Sequence, residues 1–222
     1  MPAYNERERL PAVLEAVKAA KSVNEIVVVS DGSTDGTYEF AAADPAVKAV
    51  KLETNRGKAG AMRAGANSTD ADVILFLDAD LLGLSGEKVD AIVRPVVDDE
   101  ADMAIGVFKG GRGATDLAQF LTPYISGQRA MRRATFLSIP ELEHVRSGVE
   151  TAITKYFRAR GLRVCRVTLS GCTHVMKEEK LGLWKGVLSR MRMYYDISKI
   201  LLDGRAYKTR DDSTERPGEK VP

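Results

Sequence analysis

Asp78 and Asp80 flank Ala79 directly after the apolar run Val73-Ile74-Leu75-Phe76-Leu77, so a buried strand delivers two carboxylates to one turn. Carboxylates are hard oxygen donors suited to Mg²⁺ or Mn²⁺, ions that keep several waters and share themselves with substrate phosphates. An ion held there neutralises charge building on a departing diphosphate. A second β-branched run, Glu25 to Val29, ends in the turn-forming cluster Ser30-Asp31-Gly32-Ser33-Thr34-Asp35-Gly36. Asn55-Arg56-Gly57-Lys58-Ala59-Gly60 then opens a helix, whose amino end favours anions and whose glycines admit close backbone approach. Each piece alone has a plainer reading: Asp78 ends a strand, Asp80 caps a turn, and the glycines open a helix.

The elements that must position these groups alternate along the chain. Helical periodicity runs from about Arg9 to Ala20, Thr37 to Ala43 and Glu87 to Val97, and the helix opened by Asn55 to Gly60 ends near Asn67. Strands are expected near 25–29, 47–52, 73–77 and 102–108, with Met1 to Glu6 as a loop. This order argues for an α/β domain with a mostly parallel sheet covered by helices. After Phe108 the rhythm changes at Gly110-Gly111-Arg112-Gly113, and helical and extended pieces mix up to Arg133. A helix over Ser147 to Arg160, with Ser147 as N-cap and Glu150 at the capping-box spacing, precedes an alternating strand, Leu162 to Leu169. Leu181 to Leu202 reads as an amphipathic helix with a basic face, and the polar stretch from Asp203 as a disordered tail.

Pro2-Ala3-Tyr4-Asn5-Glu6, Val29 to Asp35, Asn55 to Gly60 and Leu77-Asp78-Ala79-Asp80 follow in that order. The succession resembles the nucleotide-binding half of the family 2 glycosyltransferases, which have the GT-A fold. The resemblance implies nucleotide contacts from Pro2, Tyr4, Glu6, Asp31, Gly57, Lys58 and Asp78, and a divalent metal, Mg²⁺ or Mn²⁺, at Asp78 and Asp80. His174 follows a strand where related enzymes supply a third metal ligand. Ser126 to Arg133 and Gly148-Val149-Glu150 resemble acceptor-side segments of enzymes like dolichyl-phosphate mannose synthase and glucosyl-3-phosphoglycerate synthase. On that likeness Gly127 and Arg129 bind acceptor, with Arg132 or Arg133 as further phosphate ligands, and Glu150 is the catalytic base. The capping-box reading of Glu150 stands beside it. Residues 1–108 form the donor half, 109–202 the acceptor half of the same domain, and 203–222 the tail.

Members of that family have a buried strand before the Pro-Ala-Tyr-Asn-Glu loop, which this chain enters directly at Met1. A gap in the sheet interior and lowered stability are therefore expected. The family's Asp-Asp at the second motif is Ser30-Asp31 here, which leaves base selection open.

The expected reaction moves a sugar from a UDP- or GDP-sugar to a small-molecule or lipid-phosphate acceptor, through its hydroxyl or phosphate, with inversion or retention undecided. Two alternatives stand: a non-catalytic sugar-nucleotide-binding module, and a nucleotidyltransferase, whose opening Gly-rich basic loop is absent. A net charge of +2 over 222 residues gives no basis for nucleic-acid binding. Two cysteines without a C-x-x-C spacing argue against structural zinc and for free thiols. No stretch is long and apolar enough to span a bilayer. A cytoplasmic protein is expected, with peripheral contact at the inner membrane face if the basic helix binds lipid; a homodimer is compatible with the sequence.

Overall fold

Leu10, Val13, Leu14 and Val17 recur at helical spacing, and all four are buried in helix α1 (Leu10–Lys18). The computed structural model describes residues 1–109, 126–142, 145 and 148–174. The Gly110–Gly113 stretch, the helix expected over 181–202 and the tail expected at 203–222 lie outside them.

Strands β1 (Pro2–Ala3), β2 (Ile26–Asp31) and β3 (Val47–Leu52) form a parallel sheet in the order β1-β2-β3. Met1 to Glu6 is therefore not all loop: Pro2 and Ala3 pair with Val29 and Ser30. A second sheet orders β4 (Val73–Phe76), β7 (Arg129–Arg132), β6 (Met103–Lys109) and β8 (Val164–Ser170) as β4-β7-β6-β8. β7 runs antiparallel to both neighbours, while β6 and β8 are parallel. A short antiparallel pair joins β5 (Leu81–Leu82) to β9 (Thr173–His174), so His174 lies in a strand rather than in a loop.

Helices α2 (Thr37–Ala42), α3 (Gly57–Asn67) and α4 (Gly86–Val97) follow the strands as the periodicity indicates. α5 (Arg133–Leu137) and α6 (Val149–Ala159) complete the described helices. One apolar cluster joins α1 and α4 to the sheets through Leu10, Leu14, Val28, Leu77 and Ile92. A second packs α3, α5 and α6 through Met62, Phe76, Phe136, Ile153 and Phe157, and a third, smaller one joins Val29, Leu52 and Ala61. β2 and β4 send side chains into apolar clusters on both of their faces, which explains their unbroken apolar runs.

Among the described residues a cavity lies between β2 and β4. Val73, Leu75 and Leu77 line this cavity of about 920 Å³ opposite Glu25 and Val27, with Met62, Gly65, Val93 and Val97 also on its walls. Among the described residues β4 pairs only with β7, and β2 pairs on this side only with the two residues of β1. Two strand edges therefore face each other across the slot. Among the described residues no helix is long and apolar enough to cross a membrane. Cys165 and Cys172 are free thiols, as expected.

Candidate active site

Asp78 leaves the carboxyl end of β4 half-buried, and its carboxylate is held from two directions. Lys58 Nζ donates to Oδ1 at 2.5 Å and Gln128 Nε2 donates to Oδ2 at 2.9 Å. Lys58 also donates to Glu150 Oε1 at 2.5 Å, so one ammonium joins carboxylates that are 92 residues or less from it in sequence but come from different elements. Burial opposes the Lys58 charge, but Asp78 and Glu150 outweigh it and hold the ammonium above its ordinary pKa. The three side chains are 32%, 18% and 13% exposed for Lys58, Asp78 and Glu150, so the cluster is screened from water yet reachable.

Glu150 reaches this point because α6 starts at Val149, straight after Gly148, whose φ of 77° suits glycine. Gly148 is the N-cap, and no side chain caps the helix. The capping box with Ser147 as N-cap is therefore corrected: the N-cap lies one residue later, and the Glu150 carboxylate turns to Lys58 instead. Ser147 itself lies outside the described residues.

Gly127 is placed against Asp78 so closely that a Cβ there would stand 2.2 Å from Oδ2 and 2.6 Å from Oδ1. Its neighbour Arg129 departs from the expected role. Its side chain is fully buried and donates to Ser126 O, Glu150 O and Thr154 Oγ1, so it faces no acceptor space. Burial lowers its pKa to about 10, against the pull of Glu150 and Asp78, and leaves it charged at neutral pH. Arg132 and Arg133 are also corrected as phosphate ligands. They lie at the opposite end of the strand pair, where Arg132 faces Val73 and Arg133 Nε donates to Ala66 O.

On the other side of the slot, Asp31 is 3% exposed and its Oδ1 accepts from Arg56 N at 2.7 Å. Asn55 Nδ2 donates to Asp31 O, so the end of β2 is tied to the start of α3. The Tyr4–Glu6 loop is laced to the loop after β2: Asn5 N donates to Ser33 Oγ, Thr34 N to Asn5 Oδ1, and Glu6 N to Thr37 Oγ1. Tyr4 stands 52% exposed at the rim. Glu6 pairs with Arg9 at 3.2 Å, and Pro2 lines the slot from β1. Gly57 opens α3, one residue before Lys58.

Asp80 is half-buried in the turn before β5, and the main chain of His174 pairs with Leu81, the next residue. Asp80 and His174 are thus neighbours through the β5–β9 pair. Among the described residues no cluster of three metal-ligating side chains occurs. Sequence reasoning missed Gln128 and Ser126. Gln128 is fully buried, and a polar residue inside a short strand region carries no signal of its partner until the fold supplies one.

The strand order, with acidic groups at strand ends beside a helix amino end, is that of a GT-A α/β domain. The model of the family "Glycosyl transferase family 2" matches residues 1–161, and the chain belongs to that family. A Serratia proteamaculans protein named undecaprenyl-phosphate 4-deoxy-4-formamido-L-arabinose transferase is 37% identical over 121 residues, 50% of this chain and 36% of that protein. Its Yersinia pestis counterpart is 36% identical over the same length. The match thus spans little more than a third of these relatives. Glucosyl-3-phosphoglycerate synthase from Mycobacterium tuberculosis, in complex with Mn²⁺, UDP and glucosyl-3-phosphoglycerate, superposes with a TM-score of 0.72. It is 24% identical, with 90% of this chain and 76% of that chain covered, and supports the fold.

Proposed function

We propose that this chain transfers a glycosyl group from a nucleoside diphosphate sugar to a phosphate-bearing acceptor, with a divalent cation at Asp78 and Asp80. The observation that carries the reading is the convergence of Asp78, Lys58 and Glu150 at the carboxyl end of β4. Residues 1–108 supply the donor half and 109–202 the acceptor half. Both named relatives and the superposed synthase have phosphate-bearing acceptors or products in their names, which supports that acceptor class.

The donor set fits Mg²⁺ or Mn²⁺. Such ions take one or two carboxylates and complete their shell with water and phosphate oxygens. Asp78 offers two hard carboxylate oxygens at the end of β4, held in place by Lys58 and Gln128. Asp80 adds the second carboxylate, and the backbone placement of His174 beside Leu81 is compatible with a third ligand. When bound, the cation neutralises negative charge on the leaving diphosphate.

The chain's own groups do the rest. Lys58 sits in the first turn of α3, where helix amino end and ammonium together favour a diphosphate. Tyr4 at the rim and the Asp31–Arg56 junction border the space for the nucleoside. Glu150 faces the same point from α6. For a hydroxyl acceptor it takes the proton; a phosphate acceptor brings an oxygen already ionised and needs no base.

Hydrolysis and transfer assays with UDP- and GDP-sugars, Mn²⁺ and either phosphoglycerate or a short polyprenyl phosphate test the reading. Turnover that disappears in Asp80→Ala, with the fold retained, is the expected result. Tight nucleotide binding with no turnover of any donor favours a binding module instead. Glu150→Gln should abolish transfer to a hydroxyl and spare transfer to a phosphate. With a polyprenyl phosphate acceptor the reaction would run at a membrane surface, which co-flotation with anionic vesicles checks.

A further inference from the structure

Arg129 is the largest fully buried side chain among the described residues, and it forms no direct carboxylate pair in its site. Removing a guanidinium from water costs several kcal/mol, so an apolar residue of similar volume would fill the space more cheaply. The hydrogen bonds show what the charge holds. Nε and Nη2 grip Ser126 O at 3.2 and 2.5 Å, while Nη1 reaches Glu150 O at 2.9 Å and Thr154 Oγ1 at 3.3 Å. One planar fork therefore spans two segments that are joined by no regular pairing: the Ser126–Gln128 approach to β7 and the first turn of α6.

Each segment ends on a carboxylate of the site. Gln128, fully buried, donates to Asp78 Oδ2, and its own main-chain oxygen takes Gly106 N at 2.9 Å. Glu150 carries the second carboxylate. The connections close into a ring: Asp78, Lys58, Glu150, Arg129, the Ser126–Gln128 segment and back to Asp78. The two arcs differ. The Lys58 arc is a flexible side chain, one-third exposed, which a diphosphate can draw away. The Arg129–Gln128 arc is wholly buried.

We propose that Arg129, acting through Ser126 and Gln128, is a positioning residue that keeps the Asp78 and Glu150 carboxylates in register when Lys58 turns to the donor. This rests on the glycosyl-transfer reading for its catalytic consequence, but the geometry it describes is measurable without turnover. Arg129 is fully buried and its bonds go to Ser126, Glu150 and Thr154, so its loss separates binding from reaction. A shift of the order of 1 Å between reacting groups is enough for about a hundredfold in rate.

The test uses the full chain with Arg129→Lys and Arg129→Met, each checked for folding by circular dichroism. UDP with Mn²⁺, titrated by calorimetry, should bind both variants within about threefold of the parent, while kcat falls about a hundredfold. Arg129→Lys, which keeps the charge but loses the fork, should not restore the rate. Amide exchange supplies the second readout: positions 127–128 and 149–151 should exchange at least about tenfold faster in Arg129→Met, with α1 and β2 unchanged. A retained kcat in a folded variant overturns the proposal, as does faster exchange spread evenly over the whole domain. If the parent chain turns over no donor, the functional reading falls, and the exchange pattern alone decides the positioning role.

Discussion

Gly127 gives way to the Asp78 carboxylate: the position a side chain would take at residue 127 is already filled, 2.2 Å from Asp78 Oδ2. The requirement is for space, because the carboxylate it would strike is pinned by Lys58 and Gln128 and cannot swing aside freely.

Gly127→Ala is therefore expected to displace Asp78 and weaken Mn²⁺-dependent UDP binding by about tenfold or more, with a stability loss of about 1–3 kcal/mol from overpacking. Calorimetry and thermal melting check both parts. Unchanged affinity would show that Asp78 relaxes without consequence.

Lys58→Met leaves Asp78 and Glu150 facing each other without their shared cation. Like charges at this range repel, and we expect a loss of about 1–2 kcal/mol, reduced by the partial exposure of the cluster. UDP affinity should fall more in this variant than in Arg129→Met. Denaturant unfolding and calorimetry on the two variants make the comparison, and equal affinities would remove Lys58 from the diphosphate site.

The slot between β2 and β4 should accept one more strand. A β-branched extension of six residues before Met1 would run parallel to β2 and pair with both edges. Its expected effect is a rise in Tm of several degrees and slowed amide exchange at Val27 and Leu75. An extension of equal length rich in Gly and Pro serves as control. Matching melting temperatures for the two would sink the idea.

Asp90 clamps the loop after α1, accepting from Ser22 N at 2.8 Å, Ser22 Oγ at 2.6 Å and Lys21 N at 3.2 Å. The Ser22 hydroxyl bond is the main cause of its lowered pKa. A carboxylate depressed in the folded state adds stability above its unfolded pKa, near 3.9, and loses it as pH falls through the lower folded value. Asp90→Asn should flatten that acid limb in a pH series of melting curves while lowering stability at pH 7. An unaltered limb would assign it to other carboxylates.

Local patterning carried most of the element order. The buried runs 26–31 and 73–76, and the helices at 10–18, 57–67 and 86–97, lie close to where periodicity places them, because each must hide a continuous apolar face. The Asp78–Asp80 turn and the Lys58 helix start were legible for the same reason: each adjoins an element with a strong signal of its own. Arg129 was not. Its type and neighbours suggest a phosphate ligand, and only the fold shows that it is buried against Glu150 and Thr154 and bonded there.

The sequence by itself determined a family 2 glycosyltransferase domain, its GT-A fold and the acidic turn at the end of β4, since ordered motifs and apolar runs are properties of neighbouring residues. Tertiary structure alone decided that β7 runs antiparallel between β4 and β6, bringing Gly127 and Gln128 onto Asp78. It alone decided that Glu150 meets Lys58 across 92 positions of chain. Contacts at such separations depend on how sheets and helices pack, and no local spacing encodes which carboxylate a buried amide or ammonium will find.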